Sequence, residues 1–127
     1  MARDGKEWTA SHRLAQRGGG SRAGLGAAIG IAGMEWFSVA SHFPLVIIPF
    51  TTSIVLVIGS PQAEPAQPRA LIGGHVVATL AGLAMLQLTG PQAWAAAAAV
   101  GVAIAAMVVT GTFHPPAGID PLLVVSK

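Results

Sequence analysis

The chain has 127 residues, 53% of them hydrophobic and only 9% charged, with a formal net charge of +2. A soluble domain carries roughly a quarter charged residues, so a fully solvated surface is excluded. The absence of cysteine excludes disulfides, thiolate chemistry and Cys-based metal sites. Arg3, Asp4, Lys6, Glu7, Arg13, Arg17 and Arg22 crowd the N-terminus, so the basic balance belongs to a tail and not to a nucleic-acid-binding face. The length allows one membrane domain and no second globular one.

Residues 1–21 read as a polar, basic tail ending in the flexible run Gly18-Gly19-Gly20-Ser21. The tail has no apolar stretch of its own, which argues against a cleaved signal peptide. From residue 22 onward the chain reads as a transmembrane domain. Ala23 to about Phe43 is long enough to cross a hydrocarbon core of about 30 Å, and it contains Gly26-xxx-Gly30, a spacing that lets membrane helices approach closely. Glu35 lies inside this segment, either as a functional carboxylate or as an interfacial neighbour of Trp36.

The next apolar segment, Leu45 to Gly59, is short and interrupted by Pro49. Pro49 followed by Thr51, Thr52 and Ser53 makes a good helix start, and free first-turn N–H groups suit an anion. The alternative is an ordinary proline-kinked span whose hydroxyls bond back to their own helix. A loop with prolines at 61, 65 and 68 follows, and then the span Ala70 to Leu88, with Gly73, Gly74 and His75 near its start and small residues at Gly74, Ala78 and Gly82. Gly90-Pro91 is a tight turn. The last full span begins near Ala93, carries Trp94 and a small-residue stripe at Ala97, Gly101 and Ala105, and runs into Thr110-Gly111-Thr112-Phe113-His114-Pro115-Pro116-Ala117-Gly118-Ile119-Asp120-Pro121. The paired prolines stop the arriving helix and suit the first turn of a new one. The result is a broken helix with an imidazole at the break.

The expected fold is therefore all-α and integral to the membrane, with about four transmembrane helices and Pro-broken half-helices. Five of the seven Lys and Arg residues precede the first span, which predicts a cytoplasmic N-terminus and a multi-pass protein of the cell inner membrane. If Pro49 starts a re-entrant half-helix, the count of crossings changes by one.

Three blocks give these features a family resemblance: Pro49-Phe50-Thr51-Thr52-Ser53; Ser60-Pro61 with Ala66-Gln67-Pro68-Arg69 and Gly73-Gly74-His75; and His114-Pro115-Pro116-Ala117-Gly118. From about Arg22 onward the chain resembles the HPP family of integral membrane proteins, named for the His-Pro-Pro motif. The resemblance implies a multi-span, all-helical protein, and some plastid and cyanobacterial members are associated with nitrite transport. Family members usually carry a smaller pair in place of Thr51-Thr52, Ala-Thr in place of Ile119-Asp120, and a further helix after the motif. By that standard this chain looks truncated. The carboxylate of Asp120 would weaken an anion preference or couple it to a proton.

Residues and resemblance together predict a transporter or channel for a small monovalent anion, nitrite first. Thr51, Thr52, Ser53, His114, Pro115, Pro116 and Gly118 would line the path from two half-helix N-termini, and Gln67, Arg69 and His75 would form a cytoplasmic mouth. The simpler roles remain open: His114 capping freed carbonyls, His75 as an interfacial residue, Arg69 as a topology determinant, or the whole chain as a non-transporting membrane subunit or scaffold. No cofactor is expected. A metal held by His42, His75 and His114 lacks ligand-type spacing. Ser53 with His75 or His114 lacks any motif of catalysis, so no enzyme is expected. The partners expected are the small anion, the bilayer and further copies of the chain, and no nucleic acid.

Overall fold

The computed structural model describes residues 5–42 and 48–126, with side chains described from Gly19 onward. Five α-helices follow one another: α1 (Gly5–Ser41), α2 (Ile48–Gly59), α3 (Pro68–Thr89), α4 (Ala93–Thr110) and α5 (Asp120–Val125). Two short 3-10 segments, Glu64–Ala66 and Pro115–Ile119, lead into α3 and α5. Among the described residues there is no strand.

Three helical stretches are long and apolar enough to cross a membrane: Gly19–Ser41, Pro68–Thr89 and Ala93–Thr110. Two shorter apolar ones, Ile48–Gly59 and Pro115–Val125, accompany them. At 1.5 Å per residue, α2 extends about 18 Å, too little to cross a core of about 30 Å unaided. The all-α membrane architecture expected from the sequence is the one found. The spans expected at Ala70 to Leu88 and from Ala93 match α3 and α4, but the start of the first helix does not: α1 is continuous from Gly5 through the glycine run expected to be flexible. Glycine costs a helix about 1 kcal/mol per residue relative to alanine without forbidding it. The expected end of the first segment at Phe43 and start of the next at Leu45 lie outside the described residues.

Helix α3 is the hub. It packs against α4, α5 and both 3-10 segments, whereas α1 packs against α2. The packed faces are built from small residues, because lipid tails supply no hydrophobic drive and close van der Waals approach must hold the helices together. One core cluster joins Ala78 of α3 to Ala103 and Met107 of α4 and to Ala117. A second joins Ala95, Ala96 and Ala99 of α4 to Val125 of α5.

The Gly74, Ala78, Gly82 stripe is buried as its spacing suggests. The expected stripe of Ala97, Gly101 and Ala105 instead faces outward, and α4 packs through Ala95, Ala99, Ala103 and Met107. In a helix whose residues are nearly all apolar, periodicity cannot say which face turns inward. The Gly26-Gly30 face meets α2, and a Cβ at either position would lie 3.3 Å from Ile58 or Ile54. Large side chains such as Leu88, Val108 and Val109 point away from the bundle, as does Trp94, which suits a lipid-facing surface.

Candidate functional site: a buried histidine–serine chain

Helix α4 ends at Gly111, whose φ of 64° is a left-handed conformation that costs glycine nothing. The Thr112 N–H donates to the Met107 carbonyl and the Gly111 N–H to the Val108 carbonyl, a Schellman termination. Arg69 seals the same end by donating from Nη2 to the Thr110 carbonyl at 3.1 Å. The chain then turns back into the bundle. Pro115 holds His114 extended, at φ −131° and ψ 99°. The prolines at 115 and 116 begin the 3-10 segment, and the Ala117 N–H donates to the His114 carbonyl.

The return lies so close to α3 that side chains there are not tolerated. A Cβ on Gly74 would come within 2.6 Å of the His114 Cβ and 2.9 Å of the Thr112 carbonyl oxygen. On Gly73 it would meet Thr112 at 2.6 Å, and on Gly82 the Pro121 Cα at 2.8 Å. These glycines of α3 form the bed on which the His-Pro-Pro segment rests.

His114 is wholly buried. Its Nδ1–H donates to the Pro65 carbonyl at 2.6 Å, and its Nε2 lies 2.8 Å from Ser53 Oγ. Ser53, also buried, lies 3.1 Å from His75 Nε2 and 2.7 Å from the Pro49 carbonyl. His75 Nδ1 in turn lies 2.6 Å from Oδ2 of Asp120. Four side chains from α2, α3, α5 and the link after α4 thus form one continuous line: Asp120, His75, Ser53, His114. Carbonyls of Pro65 and Pro49 receive its outer contacts.

Phe50 stacks on His75 with ring centroids 5.0 Å apart, and the two imidazoles are 5.2 Å apart. A cavity of about 560 Å³, lined by Ser53, His75, Ile54 and Leu71 among others, opens on one side. A second of about 420 Å³, lined by His75, Asp120, Thr79 and Leu83, opens on the other. Phe50 and His75 line both.

The expected site residues divide accordingly. Ser53 and His114 are brought together. His75, expected at a mouth, stands in the middle of the line. Gly118 is buried, Thr51 and Pro116 are half-buried, and Pro115 is exposed. Thr52 is exposed and its hydroxyl donates back to the Ile48 and Pro49 carbonyls. Gln67 holds the preceding loop by donating to the Pro61 and Ala63 carbonyls, and Arg69 is spent on α4. The expected amide cradle at the second half-helix is also reduced, because Pro115 and Pro116 have no N–H and that of Ala117 is occupied. The polar donors are side chains instead.

Asp120 is the member that residue types alone left without a partner. Its signal in the sequence was a carboxylate beside the His-Pro-Pro motif, where family members usually carry Ala-Thr. Among the described residues no group of three or more His, Cys, Asp or Glu side chains is arranged to hold a metal.

A bundle of apolar helices enclosing a four-residue polar line defines a multi-span α-helical membrane protein. The transmembrane-region model of the HPP family matches residues 15–127, and the chain belongs to that family. It is similar to two transmembrane proteins of Dictyostelium discoideum. One is 38% identical over 80 residues, covering 60% of this chain and 26% of the relative. The other is 34% identical over 89 residues, covering 67% of this chain and 31% of the relative. The chain therefore spans less than a third of the length of these relatives. No solved structure matches it.

Proposed function

We propose that this domain conducts a small monovalent anion across the membrane, nitrite being the first candidate, with Ser53, His75 and His114 as its polar contact. The observation that carries the reading is the placement of those three side chains. They come from three different elements, Ser53 lines one cavity and His75 lines both, and among the described residues the only other buried polar side chain is Asp120. Polar side chains inside a membrane domain are costly and mark substrate or ion pathways. The Ser53 hydroxyl and a protonated His75 Nε2 are suitable replacements for part of the hydration of a small anion. The five basic residues ahead of the first span support a cytoplasmic N-terminus in a cell inner membrane.

Ser53, His75 and Asp120 also stand in the order of a serine–histidine–aspartate triad. We read the line as serving transport and not covalent catalysis, because Ser53 lies within the helical turn of α2 and its hydroxyl is also held by His114 and the Pro49 carbonyl. Covalent labelling of Ser53 by a fluorophosphonate would overturn that choice. Further copies of the chain fit the long apolar stretch of α1, none of which is buried within the bundle.

The test is flux. Proteoliposomes containing the chain are expected to take up nitrite, and His114→Ala to abolish uptake. Absence of flux for nitrite, nitrate, formate and chloride alike would leave the line as architecture and the chain as a non-transporting membrane subunit.

A further inference from the structure

We propose that Asp120, His75, Ser53 and His114 form a proton-binding site that takes up one proton before an anion enters and passes it across together with the anion. The consequence for coupling rests on the transport reading above. The proton-binding site itself does not.

The argument is a count of hydrogens. The Pro65 carbonyl only accepts, so His114 must carry its hydrogen on Nδ1. A neutral His114 therefore presents a bare Nε2 to Ser53. An ionised Asp120 only accepts, so a neutral His75 must carry its hydrogen on Nδ1 and also presents a bare Nε2 to Ser53. Both bare nitrogens then face one hydroxyl, at 2.8 and 3.1 Å. The Pro49 carbonyl, at 2.7 Å, competes for the same hydrogen. Three acceptors share one proton, and a buried acceptor without a donor is costly.

A single added proton satisfies every contact between Asp120 and Pro65 and leaves only the Pro49 carbonyl without the Ser53 hydrogen. Placed on His75 Nε2, it donates to Ser53 Oγ, and the Ser53 hydroxyl is free to donate to His114 Nε2. Every contact from Asp120 to Pro65 then holds one hydrogen. The same count results if the proton sits on Asp120 and His75 keeps its hydrogen on Nε2.

Charge gives the same answer independently. Without the proton the line carries the −1 of Asp120 in a largely desolvated place; with it the net charge is zero, the state that burial favours. A second proton would set two imidazolium rings 5.2 Å apart, which like-charge repulsion opposes. Among the described residues no other charged group faces the line. Helices α2 and α4 carry no titratable side chain, Glu64 beside Pro65 is exposed, Glu35 of α1 is exposed, and Arg69 is bound to Thr110.

The consequence is electrostatic. An anion meeting the unprotonated line meets a negative charge, whereas the protonated line is neutral. Asp120 lines one cavity and Ser53 the other, with His75 lining both, so the proton is taken up and released on opposite sides of the Phe50–His75 stack. No covalent bond forms or breaks other than those to the transferred proton. Anion and proton move as a neutral pair.

The decisive measurement is ¹⁵N NMR of the full chain in lipid bilayers with its histidine rings labelled. At pH 7, His75 is expected to show Nε2 protonated, and Asp120→Asn to restore a bare imidazole nitrogen. A wild-type His75 with Nε2 bare from pH 5 to 8 overturns the proposal whether or not Asp120→Asn folds. In proteoliposomes loaded with a pH-sensitive dye, nitrite entry is expected to acidify the lumen one-for-one and to ignore an imposed membrane potential. Nitrite entry that carries net charge overturns the coupling. A protonated His75 without anion flux would defeat the transport reading alone, and electrogenic flux with a bare His75 would defeat the proton site alone.

Discussion

The two proline-broken starts of this chain look alike in sequence and behave differently in space. At Pro49 the hydroxyls that follow turn mostly inward on their own helix: Thr52 donates to the Ile48 and Pro49 carbonyls, and Ser53 lies 2.7 Å from the Pro49 carbonyl. At Pro115 the preceding imidazole reaches outside its own segment, to Pro65 on one side and Ser53 on the other. The first break is repaired locally, because a threonine or serine can bond the carbonyl three or four residues back. The second cannot be, because His114 is extended and its ring points away from the helix it precedes. A polar side chain whose partners all come from distant elements is the stronger mark of a site, and Ser53 is where the two breaks join.

The largest effect that sharpens this comparison is expected for His114→Ala. It leaves the Pro65 carbonyl without its imidazole donor and Ser53 without one partner, at about 1–3 kcal/mol for each buried group left unpaired. Thermal unfolding in detergent, read by circular dichroism, should report the loss alongside the loss of flux. Gly74→Ala attacks the bed beneath the same residue. Its Cβ would need backbone to move at Thr112, and overpacking of this kind costs about 1–3 kcal/mol. Gly101→Ala, with nothing within 4 Å of its Cβ, is the matched control and should leave the unfolding midpoint unchanged or slightly raised, because alanine is the better helix former.

A paired substitution tests the local repair directly. Ser53→Ala should abolish nitrite uptake, whereas Thr52→Ala should leave uptake intact and change stability by less than about 0.5 kcal/mol, as exposed positions generally do. Equal losses from both would break the distinction between the two starts. Smallest is Arg69→Gln, which exchanges an exposed charged donor to the Thr110 carbonyl for a shorter neutral one. A loss of up to about 1 kcal/mol is expected, with little change in uptake at saturating nitrite.

Much of the fold was legible in the residues because the bilayer leaves few options: apolar runs with no charge must be helices, and their lengths can be counted. Charge placement, the loop prolines and the His-Pro-Pro break each followed from a local rule. The inward face of α4 was not legible, since a run such as Ala95 to Ala99 is equally apolar on every side. Thr51 and Thr52 were legible as helix-start hydroxyls but not as residues outside the polar line, because a hydroxyl's choice between its own backbone and a distant imidazole depends on which way the helix is turned.

By itself, the sequence determined that this is a helical membrane protein of the HPP type, that a helix starts near Pro49 and one breaks at Pro115-Pro116, and that glycine and alanine pack it. Those properties follow from backbone chemistry and hydrophobicity, which act residue by residue. Only the tertiary structure decided that His75 belongs with Ser53 and His114, and that Asp120 stands behind it. The residues of that line are separated by 22, 61 and 45 positions along the chain. Their meeting depends on how closely the His-Pro-Pro segment can approach α3, which the absent side chains of Gly73, Gly74 and Gly82 permit.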